Sequence, residues 1–176
     1  MLGGNEAAEF TTRNVAALSG VAPSLCHYYF HDRTDLIIAV IQDIRSDWII
    51  PLEAAVAPPG GFDDRAERVI QMLAQPEAGD LARLHSALHW FALNDERIRV
   101  SLHSEYDRWA TCFVSLFETL TAERGDGFDP RLLGHTLAAT ADGLAAVQAL
   151  HSQVDAETML RTLIRRLVTA AASTPT

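Results

Sequence analysis

The chain has 176 residues, 48% of them apolar and 21% charged, a balance that fits a folded globular protein and argues against disorder. It holds 14 Arg, no Lys and 23 acidic residues, for a net charge of −9. That balance excludes a protein that coats nucleic acid through bulk charge, but leaves room for a small DNA-reading surface on an acidic body. At this length roughly 70% of the unfolded chain's surface is buried on folding, so a core needs no metal or disulfide staple. Cys26 and Cys112 fall in apolar, helix-like segments and read as reduced thiols. The start, Met1 to Glu6, has neither a basic n-region nor an apolar h-region, and no apolar run approaches 18 residues. The expectation is a cytoplasmic protein without a membrane span.

No strand alternation or internal repeat is visible, and the pattern predicts an all-α chain. Thr11 or Thr12 can cap a short helix from Arg13 to Leu18, and Gly20 suits the left-handed position after its end. Pro23 stands where a first helical residue belongs, ahead of a second short helix from Ser24 to Phe30. Asp32 or Thr34 can cap the next helix, which carries Leu36, Ile37, Val40, Ile41 and Ile44 toward Trp48; Pro51 should kink it or start a new turn. Ala57–Gly61 is the clearest break. Beyond it, helices are predicted from Asp63 or Asp64 to Gln75, from Pro76 to Leu93, and from Glu96 to Glu123. Two more follow, from Asp129–Pro130 to His151 and from Asp155 onward.

Two short helices meeting at a Gly turn form a helix-turn-helix pattern, which presents side chains of the second helix to a DNA major groove. The residues carry more. Thr11-Thr12-Arg13-Asn14-Val15-Ala16, Ser19-Gly20-Val21 and His27-Tyr28-Tyr29-Phe30-His31-Asp32-Arg33-Thr34-Asp35-Leu36-Ile37 resemble the DNA-binding segment of the TetR family of bacterial transcriptional regulators, without gaps from Thr12 to Ile41. More loosely, Leu93–Arg99, Tyr106–Trp109 and Ala141–Leu144 resemble the regulatory domain of BetI-like members.

The resemblance implies a DNA-binding domain at residues 1–46 and a ligand-binding and dimerisation domain at 47–176. It assigns Thr12 to the cap of the first short helix and to backbone phosphate, beside Arg13. It assigns Ala22, Pro23, Ser24 and Leu25 to the start of the recognition helix. His27 and Tyr28 match groove-facing positions, and Tyr29 and Arg33 match phosphate contacts. Three departures stand out. Ala22 replaces a Ser or Thr cap, at a cost of about 1 kcal/mol that Pro23 partly offsets. The recognition helix has no Arg, and Arg13 and Arg33 against Asp32 leave the segment barely positive. Finally, the family places about four turns of amphipathic helix ahead of Thr11, of which Met1–Phe10 is a remnant broken by Gly3-Gly4. The expectation is a reading frame that extends upstream of an internal Met1, and Val15, Leu18 and Phe30 partly uncovered.

His85 and His89 share one helix face at a spacing that can hold a metal, but no third ligand is near in sequence. Packing histidines are the plainer reading, and no metal or cofactor is expected. By resemblance, Met72, His85, His89, Tyr106, Trp109, Cys112 and Phe113 line a cavity for a small, mainly apolar effector. The last two helices carry Leu133, Leu137, Ala141 and Leu144, then Met159, Leu163 and Leu167. Two adjacent apolar stripes predict a four-helix interface between two copies of the chain. Arg161, Arg165 and Arg166 against Asp142 and Glu157 read as rim charges. No phosphate loop, nucleophile elbow or paired carboxylates suggest catalysis; Asp63-Asp64 and Asp95-Glu96 read as helix caps.

The sequence thus predicts a homodimeric, ligand-responsive regulator, most simply a repressor, on a palindromic double-stranded DNA operator. The alternatives are a ligand-binding dimer with weakened DNA binding and a small helical metal protein or enzyme built on His85 and His89.

Overall fold

The computed structural model describes residues 11–75, 78–125, 129–151 and 153–172. The predicted remnant helix at Met1–Phe10 lies outside them. The chain is all-α: α1 (Thr12–Leu18), α2 (Pro23–Tyr29), α3 (Arg33–Ile44), a π-helical turn (Arg45–Ile49), α4 (Ile50–Val56), α5 (Phe62–Leu73), α6 (Ala78–Ala92), α7 (Glu96–Arg124), α8 (Pro130–Leu150) and α9 (Ala156–Ala172).

Local signals set most boundaries. Thr11, not Thr12, caps α1: its hydroxyl accepts from the Asn14 N–H at 3.1 Å. Gly20 sits at φ +68°, where Val21 N–H reaches the Ala16 carbonyl at 3.0 Å and Gly20 N–H reaches Ala17 at 3.4 Å. This paired closure fixes the angle at which α2 leaves α1. Ala22 supplies no side-chain cap, and Pro23 opens α2 instead. Asp32 caps α3 through the Asp35 N–H at 2.8 Å, while the Asp35 carboxylate accepts from His31 N–H at 3.0 Å. Asp95, Asp129 and Asp155 each accept N–H bonds at the starts of α7, α8 and α9. Asp63 and Asp64 are not caps: they lie in the first turn of α5, and the Phe62 N–H is satisfied from α7 by Glu123 Oε1 at 2.8 Å. Proline at the first turn of α4 forces the interruption expected there, which takes the form of the π turn.

The 29-residue α7, about 43 Å long, is the spine. Its C-terminal half carries Phe113, Leu116, Phe117 and Leu120 into a core shared with α4, α5, α8 and α9. Phe62 of α5 packs on Phe117 with ring centroids 5.6 Å apart. At Gly134 of α8, an added Cβ would lie 2.6 Å from the Val114 backbone nitrogen, so this contact admits no side chain. Arg68 closes the α4–α5 loop by donating to the carbonyls of Ala55, Ala57 and Pro59.

A smaller cluster joins Ile37 and Ile41 of α3 to Leu88 and Ala92 of α6 and Ile98 and Leu102 of α7. Polar contacts reinforce it. Asp95 caps α7 and also accepts from the Thr34 hydroxyl at 2.7 Å. Arg97 pairs with Asp32 at 3.0 Å and with Asp35.

The two predicted apolar stripes divide differently from the expectation. Leu133, Leu137, Ala141 and Leu144 are buried inside this chain, because their face of α8 covers its own helical neighbours. They are not surface available to a second copy. Leu163 and Leu167 are half-buried against the same core, and Met159 is exposed. Among the described residues, the large apolar side chains exposed on α8 are Leu132, Val147 and Leu150.

Candidate functional site: a helix-turn-helix head and an internal cavity

Two regions could carry function. The first is the α1–α2 pair. Ala16 and Cys26 are buried between the two helices, with Leu36 of α3 also buried, so α2 is held by its inner face. Its outer face is open to solvent. Pro23, Ser24, Leu25, His27, Tyr28 and Tyr29 are all exposed, and Tyr28 and Tyr29 are 81% and 69% exposed. The two rings meet edge-on with centroids 5.2 Å apart, so each limits the other's rotamers. Large exposed aromatics on a seven-residue helix contribute nothing to this core. Their placement suits contact with another molecule. Ala22 and Arg13 are exposed on the same pair, and Thr12 is half-buried. Arg33 lies with its guanidinium 5.6 Å from the Phe91 ring, at the junction with α6. Leu18 is 89% exposed, while Val15 and Phe30 are half-buried.

The second region is a cavity of about 280 Å³. Ile41 of α3, Trp48 and Ile49 of the π turn, Leu88 and His89 of α6, Leu102, Glu105, Tyr106 and Trp109 of α7, and residues 141–146 with Gln148 of α8 contribute to its wall. It therefore sits where the small α3 cluster meets the main core. Its walls are apolar with a few polar groups, the usual make-up of a small-molecule site. Trp48 meets Trp109 edge-on at 5.7 Å, and Trp109 meets Phe113 at 5.0 Å, so the aromatic wall continues into the core.

Of the seven residues predicted for an effector, His89, Tyr106 and Trp109 line this cavity. Phe113 is fully buried behind Trp109, Cys112 is buried in the core, and Met72 is half-buried against that core. Helix periodicity marks all of these positions as apolar and inward but does not separate wall from filling. The side chain of His85 lies outside the described residues. Burial pushes the Cys112 thiol up to about 11, so it is an inert packing group.

The carboxylates of the cavity escaped the sequence reading. Asp142, expected at a rim, faces the cavity instead, and burial pushes its carboxyl up to about 6. Glu105 lines the same space with Oε2 buried and without a hydrogen-bond partner, as is Trp109 Nε1. Tyr106 is raised above the ordinary phenol range by burial and by the charges of Asp142 and Asp107. The nearest available signal was spacing: Glu105 and Trp109 are four apart on α7 and share a face. Arg161 is no rim charge either: it bridges α9 to α5 through Glu67 and also binds Glu157 at 2.9 Å.

Among the described residues, no three His, Cys, Asp or Glu side chains converge as a metal site. His103, the nearest candidate partner for His89, is exposed and pairs with Asp107 at 3.2 Å. No described helix is long and apolar enough to cross a membrane.

No protein-family model matches the chain, and no curated protein sequence matches it significantly. Solved structures do. A proposed transcriptional regulator from Pseudomonas aeruginosa PAO1 superposes with a TM-score of 0.82 at 20% identity, over 93% of this chain and 81% of that one. The fatty acid degradation regulator FadR from Bacillus halodurans gives 0.70 at 14% identity, over 90% and 83%. The transcriptional regulator FadR from Bacillus subtilis, solved in complex with stearoyl-CoA, gives 0.69 at 16% identity, over 90% and 87%. At these identities the likeness establishes that the chain has the all-α fold of these regulators.

Proposed function

We propose that the chain is a ligand-responsive transcriptional regulator of the TetR type, a homodimer that binds a palindromic operator through α1 and α2. The carrying observation is the outward face of α2, where Ser24, His27, Tyr28 and Tyr29 stand exposed on a helix fixed by the Gly20 turn. The sequence resemblance through Ile41 and the fold of the regulator neighbours support the same reading. The division into a DNA-binding unit at 1–46 and a regulatory unit at 47–176 is supported by the π turn, which interrupts the helix between them. The exposed Leu132, Val147, Leu150 and Met159 on α8 and α9 offer a face for a second copy.

In this reading the cavity holds a small effector. Its control over DNA rests on different affinities for two shapes of the dimer, one whose recognition helices match half-sites about 34–36 Å apart and one whose helices do not. A ligand that favours the second shape releases the DNA, as an inducer does for a repressor. With so few Arg near α2, backbone attraction is weak and the salt dependence shallow. Affinity then depends on groove contacts by His27 and Tyr28.

The test is a gel shift with DNA flanking the gene, at low and moderate salt. Sequence-specific retardation that Tyr28→Ala reduces at least fivefold is expected, since a lost base contact is worth about 1–3 kcal/mol. Weak retardation equal for every sequence would overturn the DNA-binding reading and favour a ligand-binding dimer.

A further inference from the structure

The cavity's charge says more about its ligand than its apolar walls do. Its wall includes two carboxylates, Glu105 and Asp142, one imidazole, His89, and no arginine among the described residues. The chain has no lysine to supply an ammonium from elsewhere. We propose that the effector is a compact organic cation, an amine or amidine bearing N–H groups on an apolar body, held by Glu105 and Asp142 against Trp48 and Trp109. This rests on the reading of the cavity as the effector site.

Three observations support it independently. Glu105 Oε2 is buried without a donor. A buried carboxylate oxygen is costly to leave unsatisfied, and a protonated amine supplies both the missing donor and the opposite charge. Trp109 Nε1 is likewise buried without an acceptor, which fits a ligand that also carries an ether, hydroxyl or carbonyl oxygen. Trp48 and Trp109 in the wall add aromatic surface, whose ring face attracts a cation and repels an anion.

Burial of Asp142 points the same way. A carboxyl pushed up to about 6 is charged at pH 7 but poorly stabilised, and a bound ammonium relieves that strain. Size narrows the class further. At about 280 Å³ the cavity suits a small ligand rather than a long one. Stearoyl-CoA, the ligand of the Bacillus subtilis neighbour, is a long polyanion and meets neither condition.

The experiment titrates the full chain with octylamine, octanol and octanoate at pH 7.5, following tryptophan fluorescence. Two of the chain's three tryptophans line the cavity. Octylamine is expected to bind at least tenfold more tightly than either analogue, and that preference is expected to disappear in the Glu105→Gln/Asp142→Asn variant. A preference below tenfold, saturation by none of the three, or a preference unchanged in the variant overturns the proposal. If circular dichroism shows the double variant unfolded, Glu105→Gln alone replaces it, and the wild-type ranking still decides. A parallel gel shift separates this idea from the regulator reading. Specific DNA binding released by octanoate but not octylamine sinks the cation and keeps the regulator. Selective amine binding without specific DNA binding does the reverse.

Discussion

The two halves of α7 are held in different ways. From Trp109 to Leu120 the helix is buried in aromatic and aliphatic side chains contributed by four other helices. From Glu96 to Leu102 it meets α3 through a thin apolar cluster and a latch of partly exposed polar groups, Arg97 with Asp32 and Asp35, and Asp95 with Thr34. The cavity lies between the two regimes. Apolar burial at the far end is nearly indifferent to salt and pH, whereas a partly exposed latch is screened by salt and worth little on its own. The fold is thus anchored at the far end of α7, and the α1–α3 head is held by the weaker contacts.

Breaking the strong half should give the largest effect. Phe117→Ala, at a fully buried position against Phe62, is expected to cost about 3–5 kcal/mol, read as a lower urea midpoint for the whole chain. Next comes the cavity. Asp142 has a folded-state value raised from 3.8 to about 6, so the native state holds its proton more tightly than the unfolded state does. Stability from this group is therefore greatest below pH 4 and falls as pH rises to about 6. Above that the penalty is at most on the order of 2–3 kcal/mol. Asp142→Asn is expected to raise the melting temperature at pH 7.5 and to leave it nearly unchanged at pH 3.5. Equal gains at both values would assign the effect to packing rather than charge. The smallest effect belongs to the latch. Arg97→Ala should leave the global urea midpoint nearly unmoved but speed hydrogen exchange in α3, with the difference fading in high salt.

Much of this fold is legible in the sequence because its signals are local. Asp95, Asp129 and Asp155 cap the helices they precede, Gly20 turns the chain, and Pro51 interrupts a helix, each through bonds or clashes within a few residues. What stays hidden depends on partners far along the chain. Glu123 caps α5 from 61 residues away, and no periodicity announces it. Leu133 and Leu137 show an apolar face but not its partner, so a buried stripe and a dimer stripe look alike in sequence. Asp142 and Glu105 are ordinary surface letters until the packing phase of α7 and α8 turns them inward.

The π turn at Arg45–Ile49 has a consequence in angular terms. It accommodates one residue more than an α-turn would, and in an α-helix each residue advances about 100° around the axis. Two of its residues, Trp48 and Ile49, form cavity wall, while the helix on its N-terminal side carries the head. If that turn were re-wound as α-helix, α3 would have to screw about its own axis relative to α4 rather than bend away from it. In the proposed reading, motion passed from the cavity to α1 and α2 through this joint is therefore a matter of torque.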